Sequence, residues 1–413
     1  MYRRILIPNR TDCALRLVRA CRALGIRTYL AVARDDRLQT AAEIADEVVY
    51  LGYGREAYVS QNAILETARH CLCEAILPGW GFLSEDFAFA RKCRALGIHF
   101  VGPGTRHLQI FGDKVHTIQL LESAFESPHP YVLCDDPDFS RKLTDLAGPY
   151  MVKHRFGGGG KGIRLFEHSD DVLHQVGDYQ KTGVIGQYYV EQACAGSGVR
   201  HIEFQYFGDG NGQLSLVGMR DCTPQIHYQK WLETSLRPDP DSAVHRLGIA
   251  IGQRLCDISY SGWGTVECLR TADGRFRLLE LNPRLQVEHG VTEMSAGVDL
   301  VRAALELSCG CFSGIPSCQY LADAAEFRLF AQTTGRIDAI GFDGYTWPDH
   351  PCADDANYRI EHSVMPGSEI SGVYDGLCAR FMVRGSDCID RMRQWLKTFS
   401  VCGVHTNLPL LMG

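Results

Sequence analysis

With 413 residues, 45% of them hydrophobic and 22% charged, the chain has an ordinary globular composition that excludes a mainly disordered or collagen-like protein, and its length suggests two or three lobes of ~100–200 residues each. Lys and Arg number 42 against 49 Asp and Glu, a formal charge of −7 with the basic residues dispersed rather than striped, so nucleic acid is not expected as a partner. No apolar run approaches the ~18 residues of a membrane span, the apolar part of residues 1–8 is too short for a signal peptide, and the 17 cysteines lack zinc or redox spacing; a soluble cytoplasmic protein with buried thiols and no membrane partner is expected.

The first hundred residues alternate short apolar runs with helical patterns. Strands are expected at 5–7, 28–33, 48–50, 75–77 and 98–101, and helices at 12–24, 58–71 and 85–96, the βαβα order of a parallel sheet with helices on its faces. Gly25 and Gly97 each close a helical pattern. The turns at 8–10, 78–82 and 102–104 fall at strand carboxyl ends, where such sheets bind ligands. From about 128 the texture changes: strand patterns at 149–156 and 163–166 flank a glycine run, and a helix (169–179) and a strand (184–190) follow. Residues 192–198 read as a hinge. Strands then dominate to 281, with helices near 242–256 and 298–309, and the last section, 320–413, reads as strands followed by a helix over 387–399. The expected division is an N-terminal α/β domain with a connecting helix (1–128), a small glycine-loop lid (129–192) and a catalytic and C-terminal domain (193–413).

The sharpest local feature is the run from Val152 to Arg164, containing Gly157, Gly158, Gly159 and Gly160. Arg155 and Gly162 stand where a Walker A loop needs Gly and Ser or Thr. Strand, glycines, strand, with no helix after the loop, instead suits a hairpin folded over phosphates, because glycines expose backbone N–H groups and admit positive φ. Lys153, Lys161 and Arg164 bracket the run. A plain surface loop is the alternative.

A second feature joins Gly264–Leu269 to Phe276–Asn282 through Asp273-Gly274, a favoured two-residue hairpin turn. A turn closed by Ala272 and Arg275 sets Glu267 opposite Glu280, and the two-residue period adds Asn282 to the same face. Opposed carboxylates repel. Hard oxygen donors of this kind suit Mg2+, with nucleotide phosphates completing its shell, whereas an exposed hairpin face would leave both acids hydrated. The loop that follows, from Pro283 to Gly290, sets Arg284 and Glu288 beside that strand, a cation able to hold an oxyanion and a candidate base.

Asn9-Arg10, the run Pro78 to Glu85, Gly112-Asp113-Lys114, the glycine hairpin, Arg200-His201-Ile202-Glu203, Arg220-Asp221-Cys222, Gln229-Lys230, the run Glu280 to His289 and Val291-Thr292-Glu293-Met294 together resemble the biotin carboxylase family of the ATP-grasp superfamily, in order from residue 2 to about 408. The stretch Arg284 to Glu288 is the most specific part. The resemblance implies an α/β and α+β ATP-grasp fold and a two-step, ATP- and bicarbonate-dependent carboxylation of biotin through carboxyphosphate, as one component of an acyl-CoA carboxylase. By position, it assigns Lys114, Lys153, the glycines 157–160, Glu191, Cys194, His201 and Leu269 to ATP. Glu267, Glu280 and Asn282 take Mg2+ or Mn2+, in agreement with the hairpin argument. Lys230, Arg284, Gln286, Val287, Arg328 and Trp80 take bicarbonate and biotin, and Glu288, Arg284, Arg328 and Lys230 carry the chemistry. The partners implied are a biotin carboxyl carrier protein, carboxyltransferase components and a second copy in a homodimer.

Several positions depart from the family's pattern. Trp80 stands where Tyr is usual, residues 226–229 replace a more basic stretch and put Tyr228 where an imidazole is expected, Thr11-Asp12 replaces Gly-Glu, residues 331–337 lack a longer proline-rich segment, and no terminal helix is expected after Leu408. Two other functions compete: an ATP-grasp ligase that joins a carboxylate to an amine, and a nucleotide-binding paralogue without turnover.

Overall fold

The computed structural model describes residues 1–36, 40–157, 162–194, 196–226, 229–314, 320–352, 355–372, 374 and 376–412. Gly158, Gly159, Gly160, Lys161, His227 and Tyr228 lie outside the described residues. The chain divides into two units, the first made of Met1–Leu108, Glu203–Thr265 and Asn282–Gly413, the second of Gln109–Ile202 and Val266–Leu281.

In the first unit the expected parallel sheet is present, in the order Glu47–Gly52, Arg27–Ala33, Arg4–Ile7, Ala75–Ile76, His99–Phe100. Ile5 pairs with Thr28 on one side and Ala75 on the other. The helices Thr11–Ala23 and Phe87–Ala95 end as the glycines imply: Ile26 N donates to Cys21 O at 2.9 Å and Ile98 N to Cys93 O at 3.0 Å, the six-to-one bonds of a Schellman cap that a left-handed residue makes possible. Leu72 serves the same purpose after the helix Gln61–His70, with φ 54° and Cys73 N donating to Ala68 O at 2.8 Å. At the carboxyl ends of the strands, Asn9 Nδ2 donates to Pro78 O at 2.6 Å and Trp80 O at 2.9 Å, tying two of the turns together.

The same unit holds an antiparallel sheet that runs Arg200–Asp209, Leu214–Asp221, Leu232–Leu236, Ala324–Phe330, Leu377–Arg384, Tyr358–His362. On one face lies an aromatic core with Phe327, Phe381, Trp347, Trp395 and Phe399; the helix His289–Ala296, buried along its whole length, packs on several of these strands. The end of the chain forms a short helix, Leu408–Met412, where none was expected; Leu411 is buried in the aromatic core and supplies the reason.

In the second unit, strands Tyr131–Leu133, Tyr188–Gln192, Tyr150–His154 and Arg164–Phe166 form an antiparallel sheet in that order. The helices Phe139–Asp145 and Ser169–Lys181 supply Leu143, Val172 and Val176 to a core with Val132, Val152 and Val190. Among the described residues, all the cysteines are free of disulfides, and no helix is long and apolar enough to cross a membrane.

Candidate active site

The second unit gathers the residues expected to meet nucleotide and metal except Asn282, each acid paired with a basic side chain. Strands 150–154 and 188–192 set Met151 opposite Glu191, and Lys153, one pleat away on the same face, makes a buried ion pair with Glu191. His129 Nε2 lies 2.9 Å from the other Glu191 oxygen. Burial alone would raise the Glu191 pKa; Lys153 and His129 outweigh it and hold the carboxyl down at about 2. His201 Nε2 stands 2.8 Å from Glu267 Oε2, both side chains nearly buried, and Lys114 pairs with Glu280. Cys194 and Leu269 are half-buried, and burial pushes the Cys194 thiol upward.

The hairpin between the two glutamates differs from expectation. Thr271 N donates to Arg275 O at 2.8 Å and Gly274 N to Thr271 O at 2.9 Å, with Gly274 at φ 86°. This is a three-residue loop with a glycine bulge, not a two-residue turn. Thr271, not Ala272, closes it, so at the turn the register is one residue away from the one that sets Glu267 directly against Glu280. Lys114 balances the charge of Glu280, and His201 lies 2.8 Å from Glu267. The donor chemistry of the two acids, carboxylates with a lysine and an imidazole beside them, fits a hard divalent ion.

In the first unit most of the remaining site residues, Arg284 apart, join one buried charge network. Glu288, 2% exposed, caps the helix His289–Ala296 by position. Lys230 Nζ donates to its Oε1 at 2.8 Å and Arg328 Nη2 to its Oε2 at 2.6 Å. Burial would raise the Glu288 pKa, but Lys230 and then Arg328 overcome that and keep it well below the usual carboxylate range. Lys230 also pairs with Glu203, and the fully buried Arg220 donates to Glu203 from Nε at 3.0 Å and Nη2 at 2.8 Å and to Thr292 Oγ1 at 2.7 Å. Gln286 is fixed twice: its side chain accepts from Arg220, and its carbonyl accepts from His289 Nδ1 at 2.8 Å. Burial, with Arg380 adding to it, keeps His289 neutral. Arg380 Nη1 donates to Val287 O at 2.6 Å and its guanidinium lies 5.4 Å from the centre of the Trp80 ring. Arg284 pairs with Glu85 and donates from Nη2 to Asn282 Oδ1 at 3.2 Å.

Thus Lys230, Glu288 and Arg328 come into direct contact, Gln286 joins them through Arg220, and Val287 and Trp80 join through Arg380. Asn282 belongs to the first unit and the two glutamates of the expected metal set to the second. Glu203, Arg220, Glu233, Glu326, Arg380 and His129 were not singled out as site residues. A signal existed for Glu326: in Ala324–Phe330, two charges two residues apart in an otherwise apolar strand share one face.

Family models match in order along the chain: the biotin carboxylase N-terminal domain over residues 1–108, the ATP-binding domain of the carbamoyl-phosphate synthase L chain over 130–312 and the biotin carboxylase C-terminal domain over 325–413. The 2-oxoglutarate carboxylase small subunit of Hydrogenobacter thermophilus is 30% identical over all of this chain and 90% of its own length. A biotin carboxylase of Halalkalibacterium halodurans is 30% identical over all of this chain and 93% of its own. Among solved structures, the biotin carboxylase domain dimer of the Hydrogenobacter enzyme, in complex with MgADP, ADP and bicarbonate, matches with a TM-score of 0.87 at 29% identity, covering 100% of this chain and 93% of that one. The biotin carboxylase of Campylobacter jejuni in complex with β,γ-ATP matches with a TM-score of 0.87 at 27% identity, covering 100% and 94%. Domain order, full-length relatives and shared fold agree with the quoted motifs: this chain belongs to the biotin carboxylase family, ATP-grasp ligases that use ATP and bicarbonate to carboxylate biotin within a biotin-dependent carboxylase.

Proposed function

We propose that Glu288 is the base of this reaction and that Lys230 and Arg328 meter its strength. The observation that supports this is the buried Glu288 carboxylate gripped by both cations. In that grip it is ionised but a weak proton acceptor. Bicarbonate, drawing either cation toward itself, raises the proton affinity of Glu288 as it arrives. The deprotonated bicarbonate attacks the γ-phosphate of ATP to give carboxyphosphate, which breaks down to CO2 and phosphate; phosphate takes the N1′ proton of biotin, and Arg328 stabilises the enolate while Arg284 and Lys230 hold the anions.

In the second unit, Lys114, Lys153, His201 and the glycines 157–160 take the nucleotide phosphates, Glu191, Cys194 and Leu269 the adenine, with residues 129–192 as the lid. Glu267, Glu280 and Asn282 would hold Mg2+ or Mn2+, whose charge would offset that of the phosphates. Gln286, Val287 and Trp80 line the bicarbonate and biotin side. The biotin sits on a carrier protein in the cytoplasm, and a carboxyltransferase, as in an acyl-CoA carboxylase, consumes the product; the dimer of the Hydrogenobacter domain supports a homodimer here. The test is ATP cleavage by purified protein with and without bicarbonate and free biotin. Cleavage that requires bicarbonate and rises with biotin is expected. The same slow rate with and without bicarbonate overturns the reading.

A further inference from the structure

Beneath Arg328 lie two carboxylates that the proposed reaction does not use. Strands Leu232–Leu236 and Ala324–Phe330 pair antiparallel with Glu233 directly opposite Glu326, and both residues are fully buried. Glu233 Oε1 is 2.7 Å from Arg328 Nη2, the nitrogen that also reaches Glu288, and Glu326 Oε1 is 3.6 Å from Arg328 Nε and 3.5 Å from Arg380 Nη1. The helix that follows Glu288 presses on the pair: a Cβ at Gly290 would lie 2.8 Å from Glu326 Oε2.

Other carboxylates crowd the pair. Among the described residues, ion pairs link four buried cations, Arg220, Lys230, Arg328 and Arg380, to five carboxylates, Glu203, Glu233, Glu288, Glu326 and Asp12, the last 2.9 Å from Arg380. On the flanking elements, Arg359, which also faces Glu326, belongs with Arg16 and Arg19 to a set paired with Glu293, Asp299 and Glu361. His289 is buried and neutral. Two directly opposed, fully buried carboxylates repel, and a proton on one of them relieves the repulsion.

We propose that Glu233 and Glu326 share one proton and together act as a positioning pair for the Arg328 guanidinium, holding it against Glu288 with part of its charge left for the biotin enolate; the catalytic half of this statement rests on the role given to Arg328 above. Burial, acting first, and the neighbouring carboxylates push both acids upward, against the pull of the arginines. The sign follows. A carboxyl that keeps its proton in the fold stabilises the fold most at low pH, and that contribution falls as pH rises from the ordinary carboxylate range toward the raised value. Loss of the shared proton would add a second full negative charge beside Arg328 and weaken its hold on the enolate.

The experiment compares wild type with Glu233→Gln, Glu326→Gln and the double variant. Gln copies the protonated acid, so neither single variant has the shared proton to lose. The melting temperature of each single variant, relative to wild type, is expected to rise by about 2–4 °C between about pH 6 and about pH 9. A constant difference across that range overturns the shared proton, and it does so whatever the enzyme catalyses. In the double variant the ratio of biotin carboxylation to bicarbonate-dependent ATP cleavage is expected to fall roughly tenfold or more, because Arg328 is mispositioned for the second step. An unchanged ratio overturns the positioning role. Should wild type cleave ATP independently of bicarbonate, the reading of the site fails while the melting comparison still decides the proton.

Discussion

The two units treat their buried charges differently. In the second, basic side chains meet acids in small sets: Lys153 and His129 on Glu191, His201 on Glu267, Lys114 on Glu280. In the first, Arg220, Lys230, Arg328 and Arg380 share five carboxylates in one connected web. A set such as Lys153, His129 and Glu191 can release its cation to a ligand with little change elsewhere, which suits the nucleotide-binding role proposed for it. A web cannot, since moving one member changes the field at every other. That suits a base and an electrophile whose strengths have to be set together.

The contrast is tested most severely at Glu288. A Glu288→Gln variant keeps shape and hydrogen-bonding capacity but cannot take a proton, so bicarbonate-dependent ATP cleavage should fall by roughly 10²–10⁴-fold, the usual span for a positioned base. Nucleotide affinity, measured by calorimetry, should hardly change if the second unit's pairs act alone. A comparable loss of both would mean that the two regions are one machine.

Next in size is the fully buried cation at one end of the web, Arg220. Arg220→Met removes the partner of Glu203, Thr292 and Gln286 at once and leaves buried carboxylate charge less compensated, at a cost of about 3–5 kcal/mol. Denaturant unfolding should show it, with loss of activity at conditions where the variant is still folded. A loss below about 1 kcal/mol would show that the web redistributes its charges more easily than its burial suggests.

For the small sets the corresponding change is Glu191→Gln, which leaves Lys153 with His129 and a neutral amide. A carboxyl held down at about 2 against about 4.5 in the unfolded chain contributes about 3 kcal/mol above the unfolded value. That contribution disappears as pH falls through the folded value. Wild type and variant should therefore differ in stability at neutral pH and converge between about pH 4.5 and about pH 2. A difference that persists to the acid end would place the effect in packing rather than in the ion pair.

How much of this was legible in the sequence depended on distance along the chain. The parallel sheet, its helices and their glycine stops were read correctly because periodicity and caps act within about a dozen residues. The strands around the glycine run were legible for the same reason. The pairing of Leu232–Leu236 with Ala324–Phe330 joins segments that no local pattern connects, so the opposed acids Glu233 and Glu326 remained out of reach, although the alternation Glu326, Phe327, Arg328 marked one charged face. The hairpin register failed for a subtler reason. Asp-Gly favours two kinds of loop, and only the position of the glycine bulge separates them. The motif Arg284 to Glu288 pointed to the proposed base, but its partners came from strands distant in sequence.

The smallest effects come from one left-handed residue in each unit. In the second, Gly274 takes φ 86° in the hairpin loop, which glycine adopts freely; Gly274→Ala should lower stability by about 1 kcal/mol by straining the bulge. In the first, Thr11 stands at φ 51° at the start of the helix Thr11–Ala23, a conformation that a β-branched side chain resists. The resemblance puts glycine there. Replacing Thr11 with Gly relieves the backbone but loses a buried side chain and its contact with Asp12 Oδ1 at 3.2 Å, so a net gain of about 1 kcal/mol is expected from a strain of about 1–2 kcal/mol. Asp12 itself holds Arg380, which makes the outcome informative about the web as well. If Thr11→Gly stabilises the fold and leaves biotin carboxylation intact, the threonine is mere strain. If it stabilises the fold but slows the carboxylation step, the strained turn is part of what aims Asp12 at Arg380, and the web extends to the first helix.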